Sequence, residues 1–585
     1  MDRKYICPTK RRKRMNTKHL WMLMTLLIMF SLITACGVAA TPEPLQSVGG
    51  AGNGDDHAGG VEREVVRKEV VVKESSDEAS GDSSNYAVQQ TAPPQPAPEQ
   101  PISAVRGEGE SDKSLVADDG ARPEAPPNDN SYHDVFFENY GVNPFVDTED
   151  DHLSTFATDV DTGSYTIMRR YVNDGYLPPK DSIRVEEFIN YFEQNYEPPP
   201  KGQAFNIHVD AAQFPFAETE RYRMMRVGLQ GYVVPPNERK DVSLTFVIDV
   251  SGSMDMENRL GLVKKSLELL VEQLGENDYV SIVVYGYQAE VVLEPTSGDQ
   301  KELILRAINS LRPTGSTNAE AGLRLGYQQA LQAFNRDGVN RLVLCSDGVA
   351  NVGNTGPDSI LENIKHYASE GVFLTTVGFG MGNYNDVLME QLADDGNGFY
   401  AYVDTLKEAK RLFVQDLTGT LQVIALDTKV QVDFNPQTVA RYRLVGFENR
   451  AVADQDFRND DVDAGEVGAG HSVTALYEIK LHPDEDGLLS TVYLRWEDPD
   501  SHEVTEINRQ FYVNEMADSF ASADPYFQWT VLVAEYAEVL RESYWAEGNT
   551  IANLVQEVER TNMSLRSSDD RVEFVNLIKR ASQLE

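Results

Sequence analysis

Long apolar runs alternate with amphipathic segments between residues 241 and 425. The runs "VSLTFVIDV", "DYVSIVVYG", "NRLVLCSDG" and "VFLTTVGFG" are rich in β-branched residues, which is typical of strands buried on both faces. Apolar residues at helical spacing predict a helix after the first run and further helices at 299–311, 318–334, 359–370 and 385–394. This alternation predicts an α/β fold with a doubly wound parallel sheet, in which ligands bind at the carboxyl ends of the strands.

A second pattern, in which apolar and polar residues alternate one by one, flanks this region on both sides. It occurs before the α/β region in "FNIHVDAAQF" and "RYRMMRVGLQGY", and after it in "KVQVDFN", "SVTALYEIKL", "STVYLRWED" and "INRQFYV". Such alternation is typical of strands with one buried face. We therefore expect residues 204–240 and 426–514 to form one β-sandwich, with the α/β region inserted between them. An α+β region at 132–203 and a helical cap at 515–585 complete the predicted folded part.

The first 35 residues combine a basic stretch with the apolar run "LWMLMTLLIMFSLITA". This run is too short for a comfortable membrane span and ends in small residues, which predicts an export signal. Its ending, "LITAC", resembles a bacterial lipobox, which implies that Cys36 becomes the lipidated N-terminus of an envelope protein. A plain signal peptide and an uncleaved anchor are the alternatives. Residues 36–131 are rich in Gly, Ser, Pro and acidic residues, and this composition predicts a disordered tether.

Charge and composition narrow the possible partners. The chain has 93 acidic and 52 basic residues and a formal net charge of −41, so we expect it to repel nucleic acid and anionic lipid headgroups. Membrane attachment would therefore depend on acyl chains. The sequence contains no His-Glu-x-x-His, Gly-x-Ser-x-Gly or Walker motif and indicates no small-molecule substrate, so we do not expect an enzyme.

The string Asp-Thr-Gly-Ser at residues 161–164 matches the active-site signature of aspartic proteases. Such a protease needs two carboxylates that share a proton, and the sequence contains no second copy of the string. The string lies between a predicted strand, "STFATDV", and a predicted helix, "SYTIMRRYVNDG". At this strand-to-helix turn we expect the hydroxyl of Thr162 or Ser164 to cap the helix.

Short oxygen-bearing side chains are predicted to gather at the carboxyl edge of the parallel sheet. They are Asp249, Ser251 and Ser253 after the first strand, Thr317 before a helix, and Asp347 after "NRLVLCS". Oxygen donors without histidine or thiolate suit a hard divalent cation. The three elements resemble the metal-ion-dependent adhesion site (MIDAS) of von Willebrand factor type A domains (A domains). This resemblance implies that the serines and the threonine bind Mg²⁺ or Mn²⁺, that the aspartates supply charge, and that a carboxylate of a protein ligand completes the octahedron. An A domain that folds without metal is the alternative.

The segments around the A domain carry a further resemblance. "RVEEFINYFEQNYEPP" and "DVDTGSY" before it, and "FNPQTVARYRLVGFENR" after it, are similar to the flanks of the A domain in bacterial YfbK-like lipoproteins. The resemblance implies a lipid-anchored envelope protein that binds a protein ligand through its MIDAS. The alternative is an envelope assembly scaffold that makes metal-independent protein contacts. The acidic loop at 456–466 has enough oxygens for Ca²⁺, although a solvated loop is the simpler interpretation.

Overall fold

A computed structural model describes residues 137–585, apart from 218, 236, 256–258, 316, 349–356, 381–384 and 484–485. The predicted export signal, the predicted lipidation site Cys36, the whole of the predicted tether and the first five residues of the predicted α+β region lie outside the described residues. Within the described part of the chain, no helix is long and apolar enough to cross a membrane.

The described residues before the A domain form four strands and two α-helices. They are β1 (Val146–Asp147), β2 (Leu153–Ala157), α1 (Gly163–Asn173), α2 (Val185–Asn190), β3 (Phe205–Gln213) and β4 (Tyr222–Gly231). Helix α1 is buried on two sides. Ile167 and Tyr171 pack into the core of the A domain, whereas Tyr165 and Met168 pack into a separate core made largely by C-terminal helices. The helix therefore joins two parts of the molecule.

The A domain is built on a six-stranded sheet with the strand order β10-β9-β8-β5-β6-β7. Its elements are β5 (Val242–Asp249), α3 (Leu260–Val271), β6 (Tyr279–Tyr285), β7 (Ala289–Ser297), α4 (Lys301–Ser310), α5 (Ala319–Gln332), β8 (Val339–Ser346), α6 (Pro357–Ser369), β9 (Val372–Phe379), α7 (Asp386–Asp394), β10 (Tyr400–Val403), α8 (Leu406–Lys410) and α9 (Leu417–Leu421). All neighbouring strands are parallel except β6 and β7. The predicted α/β fold is confirmed.

Strand β7 is absent from the sequence-based prediction, which places a helix directly after β6. It is an antiparallel edge strand, and exposed Glu290 and Glu294 interrupt its apolar residues. The central strands, in contrast, bury side chains on both faces of the sheet. Phe246 and Ile248 of β5 pack on one face of the sheet, whereas Val247 packs on the other. Helices cover both faces, which explains the continuous apolar runs.

Two antiparallel sheets combine strands from both sides of the A domain in the chain. The later strands are β11 (Val423–Phe434), β12 (Val439–Val445), β13 (Gly465–Gly468), β14 (Ser472–Leu481), β15 (Leu488–Glu497) and β16 (Val504–Tyr512). One sheet has the order β1-β12-β14-β4-β3, and the other has the order β13-β11-β15-β16, with β2 also paired to β11. Val227 of β4 lies opposite Ala475 of β14. Both sheets contribute to one core, which includes Met225, Val432 and Leu494.

Three helices end the chain: α10 (Pro525–Leu540), α11 (Ile551–Ser564) and α12 (Asp569–Ala581). Helix α10 is apolar around most of its circumference, as expected of a helix buried on several sides. Aromatic rings dominate this core. The ring centroid of Trp529 lies 5.5 Å from that of Phe192 and 5.4 Å from that of Phe574, in T-shaped contacts.

Candidate metal centre

Strand β5 ends in a carboxylate that its neighbours hold in place. Asp249 is fully buried, and its Oδ1 accepts a hydrogen bond from the backbone N–H of Ser251 at 2.7 Å. Its Oδ2 accepts one from the hydroxyl of Ser346, at the end of β8, at 3.2 Å. Burial, followed by the negative charge of Asp347, raises the pKa of Asp249 to about 6. A cation beside this carboxylate would relieve both effects.

The two serines after β5 lie side by side. Their hydroxyls form a hydrogen bond with each other, with the oxygens 2.9 Å apart, and Ser251 is buried whereas Ser253 is exposed. Adjacent oxygens of an octahedral Mg²⁺ site, each about 2.0–2.1 Å from the ion, are also about 2.9 Å apart. The pair therefore has the spacing that two neighbouring ligands of Mg²⁺ need, and it reaches from the buried Asp249 to the surface.

The loop that carries Thr317 is fixed against the loop after β5. The backbone N–H of Gly252 donates to the carbonyl oxygen of Gly315 at 2.9 Å, and the N–H of Thr314 donates to the carbonyl oxygen of Val250 at 2.5 Å. Thr317 is half-buried, and its hydroxyl makes no hydrogen bond within the described residues. The loop is thus in the predicted place, with one hydroxyl available for a ligand.

Asp347 lies beyond the end of β8 and is paired with a buried arginine. The Nη1 atom of Arg259 lies 2.6 Å from Oδ2 of Asp347 and 2.7 Å from the carbonyl oxygen of Ser253. Burial raises the pKa of Asp347, and the positive charge of Arg259 limits that rise. Gly380, with φ of 86°, leaves room for the arginine, because a Cβ atom there would lie 2.6 Å from Cγ of Arg259.

Arg259 was not predicted as part of the site, because one basic residue before an amphipathic helix looks like an ordinary helix flank. The structure brings together Asp249, Ser251, Ser253 and Asp347 and anchors the Thr317 loop beside them. Hydroxyl and carboxylate oxygens fit Mg²⁺ or Mn²⁺. Their role as metal ligands remains a prediction.

The helix cap predicted in the Asp-Thr-Gly-Ser string is wrong. Thr162 is the N-cap residue of α1, but its side chain makes no capping hydrogen bond, and it accepts one from Arg411 at 3.0 Å instead. The hydroxyl of Ser164 donates to the carbonyl oxygen of Ser182 at 2.6 Å. The carboxylate of Glu187 takes the capping role, because it accepts the backbone N–H of Ser164 at 2.7 Å. Burial raises the pKa of Glu187 to about 8, whereas the guanidinium of Arg184, 2.8 Å from its Oε1 atom, and the helix dipole favour the ionised form, which makes the stronger capping bond.

The aspartates of this turn form a buried acidic group with a distant residue. Oδ1 of Asp161 accepts the backbone N–H of Tyr400 at 2.9 Å, and Oδ1 of Asp159 accepts that of Asp161 at 2.7 Å. Oxygens of Asp159, Asp161 and Glu390 all lie within 4.8 Å of one another. The sequence carries no signal for Glu390, because only the folded chain brings α7 to this turn.

The parallel sheet, with oxygen-bearing loops at its carboxyl edge, defines a von Willebrand factor type A protein. The model of the von Willebrand factor type A domain matches residues 243–415, and a von Willebrand factor model matches residues 131–225. The model of the C-terminal part of the uncharacterized protein YfbK matches residues 419–487 and 480–584. The chain is 34% identical to the uncharacterized protein YfbK of Escherichia coli over 474 residues, which cover 76% of this chain and 80% of that protein. It therefore belongs to the YfbK-like family of von Willebrand factor type A proteins.

Two further comparisons are more distant. The chain is 27% identical to human inter-alpha-trypsin inhibitor heavy chain H3 over 342 residues, which cover 54% of this chain and 35% of that protein. The solved structure of a von Willebrand factor type A protein from Catenulispora acidiphila aligns with a TM-score of 0.39 at 14% identity, over 64% of this chain and 89% of that one. Proteins with this domain are generally non-enzymatic interaction proteins, so the A domain indicates protein–protein interaction.

Proposed function

We propose that this chain is a cell-envelope protein that binds a protein ligand through a divalent cation at its MIDAS. The observation that carries the proposal is that the hydroxyls of Ser251 and Ser253, which are hydrogen-bonded to each other with their oxygens 2.9 Å apart, lie side by side at the carboxyl edge of the sheet. Two buried aspartates, Asp249 and Asp347, lie beside them. Hydroxyl oxygens with negatively charged carboxylates beside them suit Mg²⁺ or Mn²⁺. Because they are few, they leave a coordination position open for an oxygen of a protein ligand.

Each residue has a distinct role in this proposal. Ser251, Ser253 and Thr317 would hold the cation directly, and Asp249 and Asp347 would balance its charge. When bound, the cation would act as a Lewis acid that accepts one carboxylate oxygen from a protein partner. The chain itself orients the two serines: Ser251 through the bond from its N–H to Asp249, and Ser253 through the bond from Arg259 to its carbonyl oxygen.

The proposed location is the outside of a bacterial membrane. Cys36 would carry the lipid, and residues 37–131 would act as a tether that lets the A domain reach partners away from the membrane surface. Because the chain is strongly acidic, we expect that acyl chains rather than surface charge would hold it to the membrane.

One observation favours a second candidate function, a scaffold whose A domain contacts proteins without metal. The guanidinium of Arg259, almost fully buried, already balances the charge of Asp347 at 2.6 Å. An internal cation of this kind lets the loops fold in the absence of Mg²⁺. In this case the carboxyl edge of the sheet would serve as a shaped surface, and chelators would not release the partner.

Thermal unfolding of the purified full-length protein tests whether the site binds metal. We expect Mg²⁺ or Mn²⁺ to raise the Tm relative to EDTA, because a ligand at about 100 times its Kd adds roughly 2.7 kcal/mol to the folded state. The shift should disappear in Asp347→Ala and persist in the control Asp337→Ala, which removes an exposed acid from a turn. A wild type that is insensitive to millimolar Mg²⁺ and Mn²⁺ would contradict the proposal.

Capture of partners from isolated envelopes separates the two candidate functions. Wild type and Ser253→Ala are used as bait, with and without EDTA, and Ser310→Ala on the exposed side of α4 serves as the control. Metal-dependent binding predicts a partner that EDTA and Ser253→Ala both release. A partner retained under both conditions supports the scaffold instead.

A further inference from the structure

A cavity of about 310 Å³ lies between the loop that follows β12 and the acidic loop at 456–466, and we call it the loop pocket. Its volume is within the range of about 300–1,000 Å³ that is usual for sites of small ligands. Small apolar residues make up much of its wall: Ala157, Ala451, Val452, Val462 and Ala464. The loop pocket is separate from the MIDAS, because none of the predicted metal ligands lines it.

Backbone hydrogen bonds fix both loops of the pocket to neighbouring strands. The N–H of Ala157, the last residue of β2, donates to the carbonyl oxygen of Arg450 at 2.9 Å. The N–H of Ala464 in the acidic loop donates to Oδ1 of Asp427, a residue of β11, at 3.1 Å. The loop pocket is therefore a built part of the fold.

One carboxyl group of the loop pocket has no partner within the described residues. Glu466, in β13, is only 8% exposed and makes neither a hydrogen bond nor an ion pair there. Its Oε1 atom is buried, whereas Oε2 keeps some exposure and is the oxygen that the pocket can reach. Burial raises the pKa of Glu466 well above its ordinary value, and the negative charge of Asp463 adds to the rise. A buried carboxyl group in this state needs either a cationic ligand or a proton.

The other charged residues of the loop pocket leave its negative charge largely unbalanced. Asp394, Asp456 and Asp463 also line it, and Arg450 is the one basic residue among the described residues of its wall. The guanidinium of Arg450 is already engaged, at 2.8 Å from Asp394 and at 3.1 Å from Glu390. It makes no ion pair with Glu466 within the described residues, so the pocket favours an additional cation.

Lys365 of α6 does not neutralise the pocket either. Its Nζ atom is 3.0 Å from Asp395 and 4.0 Å from Asp463. It makes no ion pair with Glu466 in the described part of the chain. Two acids, Asp463 and Glu466, therefore face the pocket with at most a weak contact to a cation.

The shape of the site favours an alkylammonium group over other cations. Of the described His, Cys, Asp and Glu side chains, one group of three lies close enough to share a metal ion, and it is not in the loop pocket. A guanidinium group prefers to bind both oxygens of a carboxylate, but Oε1 of Glu466 is buried. An ammonium group is a compact charge that binds one oxygen, and its alkyl chain suits walls of alanine and valine.

We propose that the loop pocket binds an alkylammonium group, with the ammonium against Oε2 of Glu466 and the alkyl chain against Ala451 and Val462. Asp463, whose side chain is 59% exposed, attracts the cation to the pocket. A free diamine and a lysine side chain of a protein present the same chemistry, and the experiment below distinguishes these two sources. The site would give the protein a second class of ligand that needs no metal.

Isothermal titration calorimetry of the full-length protein in EDTA tests the site without a contribution from metal. The probes are cadaverine, which is a free diamine, and Nα-acetyl-lysine methylamide, which presents a lysine side chain. In about 0.15 M NaCl, which screens contacts between exposed charges, we expect saturable binding of amine at one site and a rise in Tm. The uncharged Nα-acetyl-norleucine methylamide should not bind. A roughly tenfold preference for cadaverine identifies a free diamine as the ligand, and equal affinities identify a lysine side chain.

Two variants locate the site. Glu466→Gln should weaken amine binding at least about tenfold, because the ammonium loses its carboxylate partner. Asp463→Asn should weaken it severalfold, and Asp461→Asn is the matched control, because Asp461 is an exposed acid of the same loop that does not line the pocket. Glu466→Gln should fold, because the neutral form of this side chain is already favoured, and its Tm without amine checks this.

Some results overturn the proposal outright. Absence of saturable binding of both amines at millimolar concentration does so, as does wild-type affinity in both Glu466→Gln and Asp463→Asn. An equal loss of affinity in Asp461→Asn also overturns it, because binding would then reflect general surface charge. The MIDAS proposal has its own Mg²⁺ and Mn²⁺ readout, so either proposal can fail alone.

Discussion

At the scale of single residues, the candidate metal centre balances oxygen ligands against one internal cation. Among the described residues, Asp249 accepts hydrogen bonds but has no guanidinium contact, whereas Asp347 is paired with Arg259 at 2.6 Å. A metal ion bound as we propose would therefore compete with the arginine to balance the same carboxylate. The strength of this competition would set how much metal the A domain needs.

Replacing the arginine tests this balance. In Arg259→Gln, we expect a lower Tm in EDTA, because the buried carboxylate of Asp347 loses its partner, at a cost of about 3–5 kcal/mol for a broken buried pair. We also expect a larger Tm rise with Mg²⁺ than in wild type. Arg306→Gln, which removes an exposed arginine of α4, is the control. A Mg²⁺ response equal to that of wild type would show that Arg259 does not oppose the metal.

At the scale of elements, α1 depends on the turn that carries the protease-like string. Glu187 of α2 caps the helix at Ser164, and Asp161 binds the backbone of β10. Gly163 is the first residue of α1, and a Cβ atom there would collide with the ring of Tyr400. The turn that contains this string therefore holds α1 against strand β10 of the A-domain sheet.

The substitution Gly163→Ala should destabilise the protein by about 1–3 kcal/mol, as overpacking of a core contact usually does. Urea unfolding followed by circular dichroism measures the change. Gly261→Ala is the matched control, since Gly261 lies in α3 and a Cβ atom there meets nothing within 4 Å. This control should be neutral or stabilising by up to about 1 kcal/mol. Equal stability of Gly163→Ala and wild type would contradict the packing role.

Helix α10 contains two buried glutamates that should respond to pH in opposite ways. Burial, followed by the charge of Glu538, raises the pKa of Glu535 to about 8. Burial also acts against ionised Glu538, but Arg541 and Arg443 outweigh it and lower the pKa of that carboxyl. Neutral Glu535 is thus favoured in the folded state, whereas Glu538 is favoured as a carboxylate.

The folded state holds the proton of Glu535 more tightly than the unfolded chain, so wild type should lose this contribution as pH rises from about 4 to about 8. Relative to Glu535→Gln, the folded/unfolded ratio of wild type should fall up to about tenfold per pH unit in that range. Glu538→Gln should instead destabilise the protein at pH 7. Urea unfolding at pH 5.5 and 8.0 compares the variants, and a difference between wild type and Glu535→Gln that does not change with pH would contradict the raised pKa.

At the scale of the whole molecule, the A domain is joined to its surroundings by several elements rather than by one linker. Helix α1 contributes to two cores, β4 pairs with β14, and Arg450, in the loop after β12, forms ion pairs with α7 and with the turn before α1. A load on a partner bound at the carboxyl edge would therefore pass through packed structure before it reached the proposed tether.

The proposed anchor is tested in cells. Cys36→Ala should release the protein from the membrane fraction or block its processing, because the acyl chains would have no attachment point. Cys7→Ala, in the predicted signal, is the control and should leave the mature protein unchanged. Fractionation and mass spectrometry provide the readout. Unchanged mass and full membrane retention of Cys36→Ala would rule out the lipoprotein assignment.

The sequence by itself determined the class of fold and the oxygen-bearing side chains that lie at the carboxyl edge of the parallel sheet. Apolar runs such as Val242–Asp249 predict strands covered on both faces, and parallel strands bring their carboxyl ends to one edge. Asp249, Ser251 and Asp347 therefore had to meet once the strands were identified. Strand β7 was not predicted, because it is an edge strand whose glutamates interrupt the apolar run that identifies a buried strand.

Only the tertiary structure decided which distant charges meet. Glu187 rather than a local hydroxyl caps α1, Arg259 balances Asp347, and Glu390 joins the two aspartates of the turn. Local sequence encodes periodicity and turn chemistry, because these depend on neighbours within a few residues. Pairing of buried charges depends on the dielectric and geometry of a completed core, and these exist only after the domains have packed together.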